Sequence, residues 1–194
     1  HIRNLQGFGQ TVVVCFNRFA ADTDEEIAFC REHCAEMGIG FAVNNAFNEG
    51  GAGAEELAHL VVDTIENKPS APLQFAYTDE QSIEDKAKAV VQKVYGGKGV
   101  TYTPAAKKML QKIEELGLSH YPICIAKTQF SFSADQKAYG VPEGFSIAIR
   151  DVVINQGSEF IVLIAGEILR MPGLPKVPQA EKIDIVNGEI EGLS

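Results

Sequence analysis

The stretch TVVVCFN, residues 11–17, constrains the fold most. A continuous apolar, β-branched run of this length reads as a strand buried on both faces, which implies a parallel sheet covered by helices. The residues that follow, RFAADTDEE, predict a helix: Asp22 or Thr23 can cap it, and Asp24, Glu25 and Glu26 suit the positive end of its dipole. That helix turns Ile27, Cys30, Cys34 and Met37 inward and stops at Gly38. IGFAV, 39–43, predicts a second strand, and Leu57, Leu60, Val61 and Ile65 mark a helix running to about Asn67. LQFAY, 73–77, reads as a third strand and Ile83 to Tyr95 as its helix. Three strand–helix units in succession predict a right-handed, mostly parallel α/β sheet.

The second half continues and then departs from this pattern. Thr103 and Pro104 open a helix that ends at Gly117, and YPICIA gives a fourth strand. FSIAIRDVVIN and EFIVLIAGEIL, joined by QGS, predict an antiparallel hairpin, and Asn187–Gly188 inside IDIVNGEIEGL predicts another. The prolines of MPGLPKVP exclude helix or central strand and predict a stiff tail wrapped on the body. The expected architecture is therefore α/β: a mostly parallel sheet of about four strand–helix units, a small antiparallel β appendage and a Pro-rich wrapping tail. Residues 1–130 are expected to form the α/β body, with residues 131–194 supplying a long loop, the hairpin and the tail packed on it.

Composition narrows the functional classes. With 194 residues, 45% of them hydrophobic, the chain can bury a sizeable core. No apolar run reaches the roughly 18 residues needed to cross a bilayer, and the expected compartment is the cytoplasm. A net charge of −9 argues against a general nucleic-acid or anionic-membrane binder. The cysteines Cys15, Cys30, Cys34 and Cys124 are expected to be reduced, with Cys124 buried and inert inside YPICI. Cys30, His33 and Cys34 share a helical turn but lack an evident fourth ligand, so no metal site is expected. The start at His1, in a segment that looks like the last turn of a helix, reads as a fragment of a longer protein.

Ligands of doubly wound sheets bind beyond the carboxyl ends of the strands. Phe19 follows the first strand and Phe47 the second, so two phenyl rings can face one cleft and sandwich a planar ligand. From spacing alone, packing against the following helices is the commoner use of both. GGAGA, 50–54, lacks the order of a phosphate-binding loop and is explained by a tight turn at a helix start. After the fourth strand comes AKTQFSFSADQKAYGVPEGF, 126–145, a polar insert too long and too aromatic to be a plain connection.

VVVCFNRFAADTDEE, AKTQFSFS and MPGLPKVPQAEKIDI, in that order, resemble the carboxyl-terminal third of formate–tetrahydrofolate ligases, and the resemblance runs from His1 to Ser194. It implies an enzyme of one-carbon metabolism that makes 10-formyltetrahydrofolate from formate, tetrahydrofolate and ATP through formyl phosphate, with magnesium and a stimulating monovalent cation. The family's N-x-F-x-x-D-T segment is matched by Asn17, Phe19, Asp22 and Thr23, which assigns Phe19 to one side of the pterin. The ring on the other side, a tryptophan before a GGxG turn in bacterial members, is matched by Phe47; the chain has no tryptophan. The resemblance also makes Lys127, Thr128 and Gln129 cleft-lining residues and Pro142 the edge nearest the nucleotide.

The family's phosphate-binding loop, catalytic lysine and formyl-phosphate arginine belong to its amino-terminal part. The expectation is thus an inactive fragment that carries the folate wall, with no catalytic residue of its own. Its partners would be small-molecule substrates, the missing amino-terminal domain and further copies of a homo-oligomeric parent. Lys127 has a structural alternative, a solvated or loop-holding lysine. Two other readings of the whole remain: a non-catalytic folate-binding or scaffolding domain, and an independent α/β enzyme using Lys127 or Cys124 as nucleophile.

Overall fold

The computed structural model describes residues 1–166 and 176–192. A short helix, α1 (Ile2–Gly7), leads into β1 (Val13–Asn17), which pairs in parallel with β2 (Gly40–Asn44) from Val13↔Gly40 to Asn17↔Asn44. Between them runs α2 (Asp24–Glu36), and the choice of cap falls on Thr23. Its hydroxyl accepts from Glu26 N at 3.2 Å while its own N–H donates to the Glu26 carboxylate at 2.9 Å, so two orphan donors are satisfied reciprocally. The short helix α3 (Ala46–Glu49), a 3₁₀ turn over Gly50–Ala54 and α4 (Glu55–Asn67) follow β2. A Cβ on Gly40 would lie 2.9 Å from a methyl of Leu60, so glycine lets α4 approach β2 closely. Ile27, Cys34, Ile39 and Phe41 form the buried centre of this half.

The second half is built on α5 (Ile83–Val90), β3 (Gly99–Tyr102), α6 (Pro104–Glu115), β4 (Ile123–Ala126), β5 (Ser146–Ile149), β6 (Asp151–Asn155) and β7 (Phe160–Ile164). β3 pairs in parallel with β5, β4 in parallel with β7, and β6 antiparallel with β7. α5 is capped by Ser82 and continues as a π-helical turn over Val91–Tyr95. α6 has the expected Thr103 cap and Pro104 in its first turn. Ile113, Ile147, Ile149, Ile161 and Leu163 are fully buried in a core that spans residues 83–165. β8 (Asp184–Val186) and β9 (Glu189–Glu191) form the expected hairpin, with Asn187 at φ 53° and Gly188 at φ 85°, the left-handed pair a type I′ turn requires.

The α/β architecture with parallel pairings and antiparallel additions is observed, and three local expectations are corrected. LQFAY is not a strand: Ala71 N and Gln74 N donate to Gly9 O and Phe8 O, which fixes the segment against the turn after α1, and Phe75 is exposed. The third parallel unit instead uses β3, a four-residue strand within KGVTYT. FSIAIRDVVIN divides at Arg150: Ile149 O accepts from Thr103 N on the β3 side, while Arg150 N donates to Ile164 O on the β7 side. Cys15 and Cys124 are exposed, because β1 and β4 each keep one face open rather than being covered on both. MPGLP, 171–175, lies outside the described residues, and with it most of the expected wrapping tail.

A buried charge appears that the sequence reading passed over. Lys86, on the inner face of α5, is completely buried and donates to Ser119 O at 2.7 Å and Tyr121 O at 3.0 Å. Its ammonium also lies 5.7 Å from the centre of the Tyr77 ring, whose hydroxyl accepts from Ile123 N at 3.1 Å. The lysine therefore ties α5 to the turn that feeds β4, and burial lowers its pKa, opposed by Asp79 and Glu80.

Candidate functional site

The parallel pair β1–β2 ends with Asn17 opposite Asn44, and both chains leave it through short, heavily bonded loops. Arg18 N donates to Asn44 O at 3.0 Å, extending the ladder by one bond. The chain then reverses: Phe19 N donates to the Asp22 carboxylate at 2.7 Å and Asp22 N to Phe19 O at 3.1 Å. Beyond the turn, Arg18 pairs with Asp24 at 2.9 Å on the first turn of α2. Phe19 is held by its backbone while its ring is 66% exposed.

The loop after β2 is fixed in the same way. The Asn44 side chain accepts from Ala46 N at 3.1 Å, Asn45 N donates to Gly53 O at 2.9 Å, and Asn48 N and Glu49 N both donate to Asn45 O. Phe47 rides on α3 with its ring 96% exposed. Neither phenylalanine is a core residue of the helix that follows it. Two large apolar rings thus stand at the carboxyl ends of adjacent parallel strands, on backbones with little freedom.

The insert after β4 forms a second cluster, on a different sheet. Lys127 is turned inward: its ammonium donates to Thr128 O at 3.2 Å and to Ser131 O, and lies 4.7 Å from the centre of the Tyr95 ring. Burial lowers its pKa. Thr128 is buried and its hydroxyl accepts from Phe130 N at 3.2 Å, whereas Gln129 is exposed and Pro142 half-buried. Ser131 donates to Ala138 O at 2.7 Å, and Ser133 accepts from Asp135 N at 3.1 Å. The insert's hydroxyls largely satisfy its own backbone, which is how so long a segment keeps a defined path without regular structure.

Around the cysteines of α2, Cys34 faces the core, Cys30 is half-buried, and the exposed His33 lies 3.5 Å from Glu36. Among the described residues, no group of three or more His, Cys, Asp or Glu side chains is placed to hold a metal ion.

The profile of the formate–tetrahydrofolate ligase family matches residues 1–194, the whole chain. The chain belongs to the formate–tetrahydrofolate ligase family. Relatives with the name formate–tetrahydrofolate ligase are 63% identical in Parabacteroides distasonis, 61% in Bacteroides fragilis and 55% in Porphyromonas gingivalis, each over 194 residues. In each case the match covers all of this chain and 35% of the relative, so the chain spans about a third of the length of the ligases it matches.

Two of the ligase-like segments can be read in the structure. VVVCFNRFAADTDEE is β1, the Phe19–Asp22 turn and the capping box of α2; AKTQFSFS is the end of β4 and the Lys127 loop. Of the third, the MPGLP portion lies outside the described residues.

Proposed function

We propose that this chain supplies the tetrahydrofolate-binding wall of a formate–tetrahydrofolate ligase, with the pterin stacked between Phe19 and Phe47. The observation that carries this reading is the exposure of both rings on hydrogen-bonded loops at neighbouring strand ends. A large exposed apolar ring gains nothing in the folded chain, but it offers a face to a flat heterocycle. Fixed backbones keep the entropic cost of stacking low.

In the longer protein the reaction would join formate and tetrahydrofolate at the expense of ATP, passing through formyl phosphate and giving 10-formyltetrahydrofolate. In this proposal the handling of ATP, magnesium and formyl phosphate falls to the remainder of that protein, and the 194 residues alone do not complete the reaction. The role of this chain is orientation: stacking of the pterin fixes tetrahydrofolate so that N10, on the arm beyond the ring system, faces a formyl donor held elsewhere, which is where proximity catalysis draws its advantage.

Steady-state kinetics of the full-length protein tests the reading. Phe19→Ala and Phe47→Ala should each raise KM for tetrahydrofolate by about 5- to 150-fold, the equivalent of about 1 to 3 kcal/mol of stacking. KM for ATP and for formate should change little, since neither ring touches them. An unchanged tetrahydrofolate KM in both variants would overturn the proposal.

A further inference from the structure

Gly53 occupies a position where no other residue fits. A Cβ built there would lie 2.5 Å from Asn45 O, 2.6 Å from Asn45 C and 2.9 Å from Ala46 N. All three atoms are backbone, so no side-chain rotation relieves the contact. The requirement is one of space alone, because Gly53 does not adopt the left-handed conformation. Its neighbours differ: Gly50 has φ +60° with nothing near its missing Cβ, and Gly51 has open space without a left-handed φ.

The peptide that Gly53 presses against joins Asn45 to Ala46 and immediately precedes Phe47. The contact is also bonded, since Asn45 N donates to Gly53 O at 2.9 Å. Residues 45–53 are thereby closed into a loop whose two ends touch backbone to backbone. With its ring 96% exposed, Phe47 has almost no packing to aim it, and its direction follows from the backbone that carries it. A side chain at residue 53 must push the Asn45–Ala46 peptide away and swing Phe47 with it.

We infer that Gly53 is a positioning residue for ligand binding: its missing side chain sets the Asn45–Ala46 peptide and so aims the Phe47 ring at a planar ligand. The inference rests on the stacking role proposed above for Phe47. It gives part of GGAGA a task that neither phosphate binding nor turn-making supplies.

The test uses full-length wild type, Gly53→Ala, Phe47→Ala and the double variant, with Gly51→Ala as control. Gly53→Ala should raise KM for tetrahydrofolate about 2- to 13-fold, the geometry-dependent part of an aromatic pair, with KM for ATP unchanged. Gly51→Ala should behave as wild type. In the Phe47→Ala background, Gly53→Ala should add nothing, since no ring remains to aim. An unchanged KM in Gly53→Ala, or an equal rise with and without Phe47, overturns the inference. If Gly53→Ala does not fold, Asn45→Ala replaces it: that change removes the bonds to Glu49 at 2.7 Å and Asn48 at 2.8 Å that hold the same loop, without a clash. It should show the same dependence on Phe47, and independence from Phe47 overturns the inference. A Phe47→Ala variant with normal KM would instead remove the stacking role itself, and the aiming role with it; a Gly53→Ala variant with normal KM beside an impaired Phe47→Ala removes only the aiming role.

Discussion

The Lys127 ammonium lies 4.7 Å from the centre of the Tyr95 ring and donates to two carbonyls of its own loop. An amine spent in this way closes the loop after β4 and lies against the π-helical turn that ends α5. Removing it leaves the Thr128 and Ser131 carbonyls short of a donor. Lys127→Ala in the full-length protein should lower stability by about 1 to 3 kcal/mol, within the usual range for charge-assisted hydrogen bonds and a partly desolvated cation–π contact. KM for each substrate should move by less than about threefold, within the range of an indirect effect. Thermal unfolding and kinetics on the same preparation separate this from a ligand-binding role, for which stability would hold and one KM would climb.

Alkaline stability should show two opposing trends. Lys86 and Lys127 have folded pKa values below the ordinary lysine value of 10.5, chiefly because burial disfavours the charged form. Between the folded value and 10.5 the unfolded chain binds more protons, so these lysines make stability rise with pH across that interval. Tyr95 and Tyr102 act in reverse: burial raises both above the ordinary 10.0, so the unfolded chain ionises first and stability falls as pH climbs past 10.0. Lys86→Met should therefore flatten the rise and leave the fall in place. Urea unfolding at a series of pH values measures it, and an unaltered rise in the variant would refute the assignment to Lys86.

At acid pH the capping box of α2 governs a local trend. Hydrogen bonds from the Thr23 N–H and hydroxyl hold the Glu26 carboxyl below its ordinary 4.5. The stability it contributes is fully present above 4.5 and is lost as pH falls through the lowered folded value. Glu26→Gln should remove that part of the acid dependence, and Thr23→Ala should cost about 0.5 to 2 kcal/mol as a lost cap. Because the same cap closes the turn behind Phe19, hydrogen exchange of residues 19–26 should quicken in Thr23→Ala before global unfolding does.

What could be read from the sequence was whatever depends on a few neighbouring residues. Thr23, Thr103–Pro104 and Asn187–Gly188 act through local hydrogen bonds and backbone preferences, and each sits where its spacing predicted. LQFAY and GVTY show the limit: both have strand-like composition, and only the second finds a parallel neighbour, in β5. Lys86 reads as an ordinary helical lysine, because nothing in IEDKAKAV announces that Ser119 O and Tyr121 O wait on its inner face. The same holds at the site. Position and residue type singled out Phe19 and Phe47, but that both stay exposed is set by the folded chain and not by their neighbours in sequence. The crowding at Gly53 was hidden too, since it arises from a loop folding back eight residues later.

Exposure makes the last prediction one of contrast between stability and binding. Phe41 is buried beneath the Arg31 guanidinium, 4.9 Å from its ring centre, and 6.2 Å from the Phe16 ring, so Phe41→Ala should cost about 3 to 5 kcal/mol as a core truncation. Phe47, three residues past the end of the same strand, leaves no cavity when cut back. Phe47→Ala should shift unfolding by less than about 0.5 kcal/mol, the usual range for an exposed site, while weakening tetrahydrofolate binding. Phe47→Trp should retain stability and match or lower the tetrahydrofolate KM, since indole offers the wider stacking face. Thermal unfolding of the three variants, with tetrahydrofolate titrations of the two at Phe47, supplies the comparison. A Phe47→Ala protein that melts like Phe41→Ala and binds tetrahydrofolate like wild type would make Phe47 a packing residue after all and end the case for a two-ring sandwich.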